Sequence, residues 1–125
     1  MDAGRDKSGI VERTLAFSLR VVRLCRQLER DGIGRILGRQ LLRAGTSIGA
    51  NVHEAQGGQS KTDFIAMMSI AHKEALETAY WLRLVKAADL VAGERLAELI
   101  DETDQIIKII SRILITSKVR KTSVS

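Results

Sequence analysis

The stretch TSIGANVHEAQGG, running from Thr46 to Gly58, decides the fold. Ile48, Val52 and Ala55 recur at helical spacing, yet Gly45 and Gly49 lie inside the pattern and Gly57-Gly58 closes it. A glycine in a helix interior costs about 1 kcal/mol against alanine, so something must offset it. A phosphate loop is the first candidate. It fails because the chain has no GK[ST] and nothing strand-like precedes the glycines, so neither a P-loop nor a dinucleotide fingerprint is present. A packing seam is the better reading. Ala44, Gly45, Thr46, Ser47, Gly49 and Ala50 are all small, which makes one helix surface nearly flat and lets a neighbouring backbone come close.

Working outward, the same stripe extends back through Leu37, Leu41 and Ala44, which predicts a helix from about Gly34 to Gln56. A first helix is predicted over 10–30, with Val11, Leu15, Val22 and Cys25 sharing a face with Leu24 and Leu28. Phe17, Leu19 and Val21 fall beyond that stripe. Asp31-Gly32 supplies the turn. Ser60, with Asp63 three residues on, caps a third helix over 61–90. That helix carries Phe64, Met67, Met68, Ala71, Ala75, Thr78, Leu82 and Val85 on one broad side. A fourth is predicted over 94–117, through Leu96, Leu99, Ile100, Thr103, Ile106, Ile107, Ile110, Ile113 and Leu114.

The composition agrees with an all-α chain. The 125 residues contain no proline and only 3% aromatics, which suits uninterrupted helices and argues against a sandwich, a barrel or a base-stacking platform. Four long helices with short loops predict a single domain, an antiparallel up-down four-helix bundle, with residues 1–9 and 119–125 flexible. Apolar residues outside the stripes, such as Leu19, Ile65, Ile70, Tyr80, Trp81 and Leu84, exceed what one such core buries. Self-association into a homo-oligomer follows. No signal-like or membrane-length apolar run occurs. A lone cysteine, Cys25, reads as a small buried hydrophobe in a cytoplasmic protein.

Chemical sites are sparse. The two histidines, His53 and His72, do not follow a glutamate by three residues, so a di-iron bundle site lacks its ligands. Ser47 has no nucleophile-elbow context. No cofactor, metal or catalytic group is expected, and any activity would have to depend on Glu54 or Glu74. Asn51 is read as semi-buried, with Glu54, Glu74 and Glu77 as its candidate network, and such a group fixes helix register.

Charge is the informative feature. Between Arg13 and Ala50 there are eight arginines and two acids, a balance of +6 in a chain of net +5. Arg20, Arg23, Arg26 and Arg30 form a ridge on the first helix; Arg35, Arg39 and Arg43 form one on the second. A helical hairpin merges the two ridges into one basic face, the footprint of nucleic-acid binding. Arginine suits bidentate phosphate contact. The competing reading is a solvated face that pairs with Glu98, Asp101, Glu102 and Asp104 of the fourth helix on another subunit.

The stretch from Leu41 to Lys118 resembles the four-helix-bundle family of bacterial 23S rRNA intervening-sequence proteins. The resemblance is carried by Thr46-Ser47-Ile48, Asn51, Glu54-Ala55, Ser60-Lys61, Asp63-Phe64-Ile65, Ile70-Ala71, Lys73-Glu74-Ala75, Glu77-Thr78 and Tyr80-Trp81-Leu82. It implies an antiparallel bundle assembled into a ring, a homopentamer, without catalytic residues. The accessory protein of diversity-generating retroelements is similar and implies nucleic acid held beside a reverse transcriptase. His53, and a Gly57-Gly58 pair that would loosen the corner between the second and third helices, depart from the family pattern. The expectation is therefore a non-enzymatic RNA- or DNA-binding oligomer, the alternative being a scaffold for a protein partner such as a reverse transcriptase. Arg20, Arg23, Arg26, Arg30, Arg35, Arg39 and Arg43 are assigned to nucleic acid, and Asn51, Glu54, Glu74, Glu77, Tyr80 and Trp81 to structure and interface.

Overall fold

A computed structural model describes residues 8–124, with side chains over 8–119. It contains α1 (Ile10–Leu28), α2 (Gly32–Gln56), α3 (Lys61–Ala87) and α4 (Gly93–Val124), with no strand among the described residues. Consecutive helices pack as antiparallel neighbours, and α1 meets α4 more sparsely to close the bundle. The sequence expectation placed the end of the fourth helix at Ser117, but the backbone continues helical through Val124. Of the ends expected to be flexible, residues 1–7 and 125 lie outside the described residues.

Each boundary has a local cause. Asp31 caps α2 by accepting from the Gly34 amide at 2.8 Å, so α1 stops two residues earlier, and α2 starts two earlier, than the spacing suggested. Ser60 accepts from the Asp63 amide at 3.1 Å and begins α3 as predicted. Asp89, in the left-handed region at φ 59°, ends the α3 turn; aspartate is one of the few non-glycine residues that tolerates it. The Gly57-Gly58 corner is tight rather than loose, since a Cβ on Gly58 would lie 3.1 Å from the Ala55 carbonyl and 3.3 Å from the Phe64 amide.

The core corrects the reading of α1. Its buried residues are Ile10, Thr14, Phe17, Val21, Leu24, Cys25 and Leu28, of which Cys25 was expected inside, while Leu15 is 63% exposed. Both registers have three- and four-residue steps. Thr14 is polar, yet its hydroxyl is satisfied by the Ile10 carbonyl at 2.8 Å and so can be buried. Phe17 and Val21, expected outside, are at the centre. Thr78 and Thr103 return their hydroxyls to Glu74 and Leu99 in the same way.

Four of the five glycines of α2 lie against the chain of α1. A Cβ on Gly45 would sit 2.9 Å and 3.0 Å from the two methyls of Val21, and one on Gly49 3.2 Å from the Thr14 carbonyl oxygen. Gly38 abuts Leu28, and at Gly34 a Cβ would collide with the Leu28 carbonyl oxygen. Gly34, Gly38, Gly45 and Gly49 therefore form a seam along which α1 lies close. Burial along that seam offsets the helix propensity lost.

Candidate nucleic-acid interface

The arginine ridges lie on the outer surface of α1 and α2, but they fan out. Two successive three-residue steps leave Arg26 about 120° around the helix from Arg20, since each falls short of the 3.6-residue turn. Arg20 accordingly reaches α4 and Glu98 at 3.8 Å. Steps of four drift the other way on α2. Arg43 reaches α3, where it donates to Glu74 at 3.3 Å and to Glu77. Arg35 lies 3.6 Å from Glu29, and both are exposed.

Arg23, Arg26, Arg30 and Arg39 make no hydrogen bond or ion pair among the described residues. Two of them frame a notch of about 150 Å³ between α1 and α2. Val22, Cys25, Gly38 and Leu42 line its apolar part, and Arg26 and Arg39 line it alongside Glu29. An apolar notch beside two unneutralised guanidinium groups is chemically suited to an anionic ligand with a flat apolar part. The Cys25 thiol donates to the Gly38 carbonyl at 3.3 Å. Burial, and secondarily the charge of Glu29, pushes its pKa up to about 11, so it is a protonated packing group at neutral pH rather than a nucleophile.

Two carboxylates of the acidic face of α4, Glu98 and Glu102, meet arginines of α1 within the chain. Arg13 holds Glu102 with two hydrogen bonds, at 2.7 Å and 2.8 Å. Those bonds, and the charges of Arg13 and Arg20, hold the Glu102 carboxyl below its ordinary range against the opposing effect of burial.

The residues assigned to structure and interface separate into two groups. Glu74, Glu77 and Trp81 belong to one clasp, in which Glu77 accepts from Arg43 and from the Trp81 indole at 3.0 Å. Tyr80 is exposed and meets Trp81 edge to face, with ring centroids 5.1 Å apart. Asn51 does not reach these carboxylates: its amide donates to the Ser47 carbonyl of its own helix at 2.8 Å. Glu54 is exposed. The expected Asn51 network is thus replaced by Arg43, whose length spans the gap between α2 and α3. Among the described residues no cluster of three His, Cys, Asp or Glu is placed to hold a metal. No described helix is long and apolar enough to cross a membrane.

Against this geometry, the sequence profile of the 23S rRNA-intervening sequence protein family matches residues 6–112. The chain belongs to that family. A solved structure from Bacteroides thetaiotaomicron VPI-5482, described as a protein of unknown function from the S23 ribosomal protein family, superposes with a TM-score of 0.80 at 36% identity. The match covers 84% of this chain and 97% of that one. No curated protein matches. In this intervening-sequence protein the matched region holds all of α1, α2 and α3 and most of α4, so the arginine notch falls within the family fold.

Proposed function

We propose that this protein is a non-enzymatic, cytoplasmic nucleic-acid-binding module that acts as a homo-oligomer, with RNA as its ligand. The observation that carries the reading is the pair Arg26 and Arg39 at the α1–α2 notch, neither of them neutralised by a carboxylate among the described residues. Arg23 of α1 and Arg30, which falls in the turn after α1 rather than on the helix the sequence predicted for it, add unpaired charge. Such a surface favours phosphate contact over sequence readout, so binding is salt-sensitive and weakly sequence-specific. The family's association with 23S rRNA insertions favours RNA over DNA. Arg20 and Arg43, already engaged by Glu98 and by Glu74 with Glu77, contribute little to it.

Filter binding to a structured RNA between about 50 and 200 mM salt tests this. Affinity should fall steeply with salt, and Arg26→Glu with Arg39→Glu should abolish it while leaving the circular dichroism spectrum unchanged. Salt-independent binding, or full binding by the double variant, overturns the proposal. A scaffold that grips a protein partner is the second reading. It draws support from exposed apolar pairs one turn apart on every helix: Leu15 and Leu19, Ile33 and Ile36, Leu76 and Tyr80, Ile115 and Val119. Capture of a defined partner such as a reverse transcriptase that survives high salt and nuclease would favour it.

A further inference from the structure

A second cleft lies on the opposite pair of helices. Net charge hides it, because bases and acids cancel from Asn51 onward. They are segregated, however. All ten acids of that region lie at or before Asp104, and Gln105 to Ser125 carries Lys108, Arg112, Lys118, Arg120 and Lys121 with no acid. In the part of this segment packed against α3 is an open cleft of about 290 Å³, lined by Ser69 and His72 of α3 and Ser111, Leu114, Ile115 and Lys118 of α4.

Four polar side chains line the cleft. His72 Nε2 and Ser111 Oγ are 2.9 Å apart across the helix pair. Ser111 and Lys118 are seven residues apart, two turns along one helical face. Ser69 stands one turn before His72. Its hydroxyl has no hydrogen bond among the described residues. That is unlike Thr14, Ser18, Ser47, Thr78 and Thr103, which each return theirs to the carbonyl four residues back. The Ser69 hydroxyl, open to the cleft beside a hydroxyl–imidazole pair and an ammonium group, can donate to a ligand there. The nearest α3 carboxylate in sequence, Glu74, is turned to Arg43 of α2.

We propose that this α3–α4 cleft binds a phosphate group. With the His72 Nε2–H donating to Ser111 Oγ, the Ser111 hydroxyl proton is directed to a phosphate oxygen. The Ser69 hydroxyl and the Lys118 ammonium donate to others. Three donors from two helices suit a tetrahedral oxyanion, and the buried Leu114 gives the cleft an apolar wall. The site is independent of the arginine notch and stands whether or not that notch binds RNA.

The test follows the histidine ring resonances of the full-length protein. With only two histidines in the chain, a His53→Gln variant assigns them. Titration with inorganic phosphate at constant ionic strength should shift the His72 signals saturably and leave His53 unmoved. Ser69→Ala with Lys118→Ala, two changes on the cleft rim, should weaken the response at least tenfold without altering the circular dichroism spectrum. Dimethyl phosphate and phenyl phosphate identify the source. Saturation by the diester marks a nucleic-acid backbone, and saturation by the monoester alone marks a terminal or small-molecule phosphate. Unsaturable shifts, parallel shifts of both histidines, or an unchanged response in the double variant overturn the proposal.

Discussion

Gly45 and Gly32 sit in one helix and answer to different forces. At Gly45 an added methyl meets the branched side chain of Val21, which has little room to turn. At Gly32 it meets nothing within 4 Å. Gly45→Ala should therefore lower stability by about 1–3 kcal/mol despite its better helix propensity. Gly32→Ala should be neutral or gain up to about 1 kcal/mol. Urea denaturation of the two variants checks the contrast, and equal responses would show that α1 does not rest on this seam. The small residues and the Ser60 cap were legible in the sequence because each is a local choice with a local reason. Asn51 was misread because its partner is chosen by side-chain reach, and a carbonyl four residues back lies nearer than any acid on α3.

Between elements, the Arg13–Glu102 pair ties α1 to α4 where their packing is thinnest. The folded-state pKa of Glu102 is depressed. Its contribution is thus complete above the unfolded carboxylate value of about 4.3 and disappears as pH falls through the lower folded value. Since Arg13 is well exposed, the effect is modest. Glu102→Gln should cost on the order of 1 kcal/mol at pH 7. Thermal melts of variant and parent should converge in acid below the ordinary carboxylate range; a gap that persists there would assign the loss to packing. The helices themselves were readable from periodicity, but the face of α1 was not. Two registers rotated by about one residue fit the same spacing, and only the partner helices decide between Leu15 and Phe17. The arginine ridges suffered from the same limit, since steps of three and of four drift in opposite directions around a helix and pull the ends of each ridge onto different neighbours.

For the whole molecule, the up-down order followed from short loops, and the core of α2, α3 and α4 from their stripes. The clefts did not follow, because each is made by two helices whose relative rotation no single stripe contains. The exposed pairs Leu15–Leu19, Ile33–Ile36, Leu76–Tyr80 and Ile115–Val119 leave apolar surface on every side of the bundle, an arrangement that a solitary chain covers poorly. Sedimentation equilibrium at moderate salt should give a mass above that of one chain, and the mass of one chain would remove the homo-oligomer from the proposal. The Arg43–Glu77–Trp81 clasp has a practical consequence as well. Its indole is the sole tryptophan of the protein, and its N–H keeps the Glu77 partner only while the site is intact, so the colour of its emission becomes a built-in gauge of whether the second and third rods are still joined, readable without any attached dye.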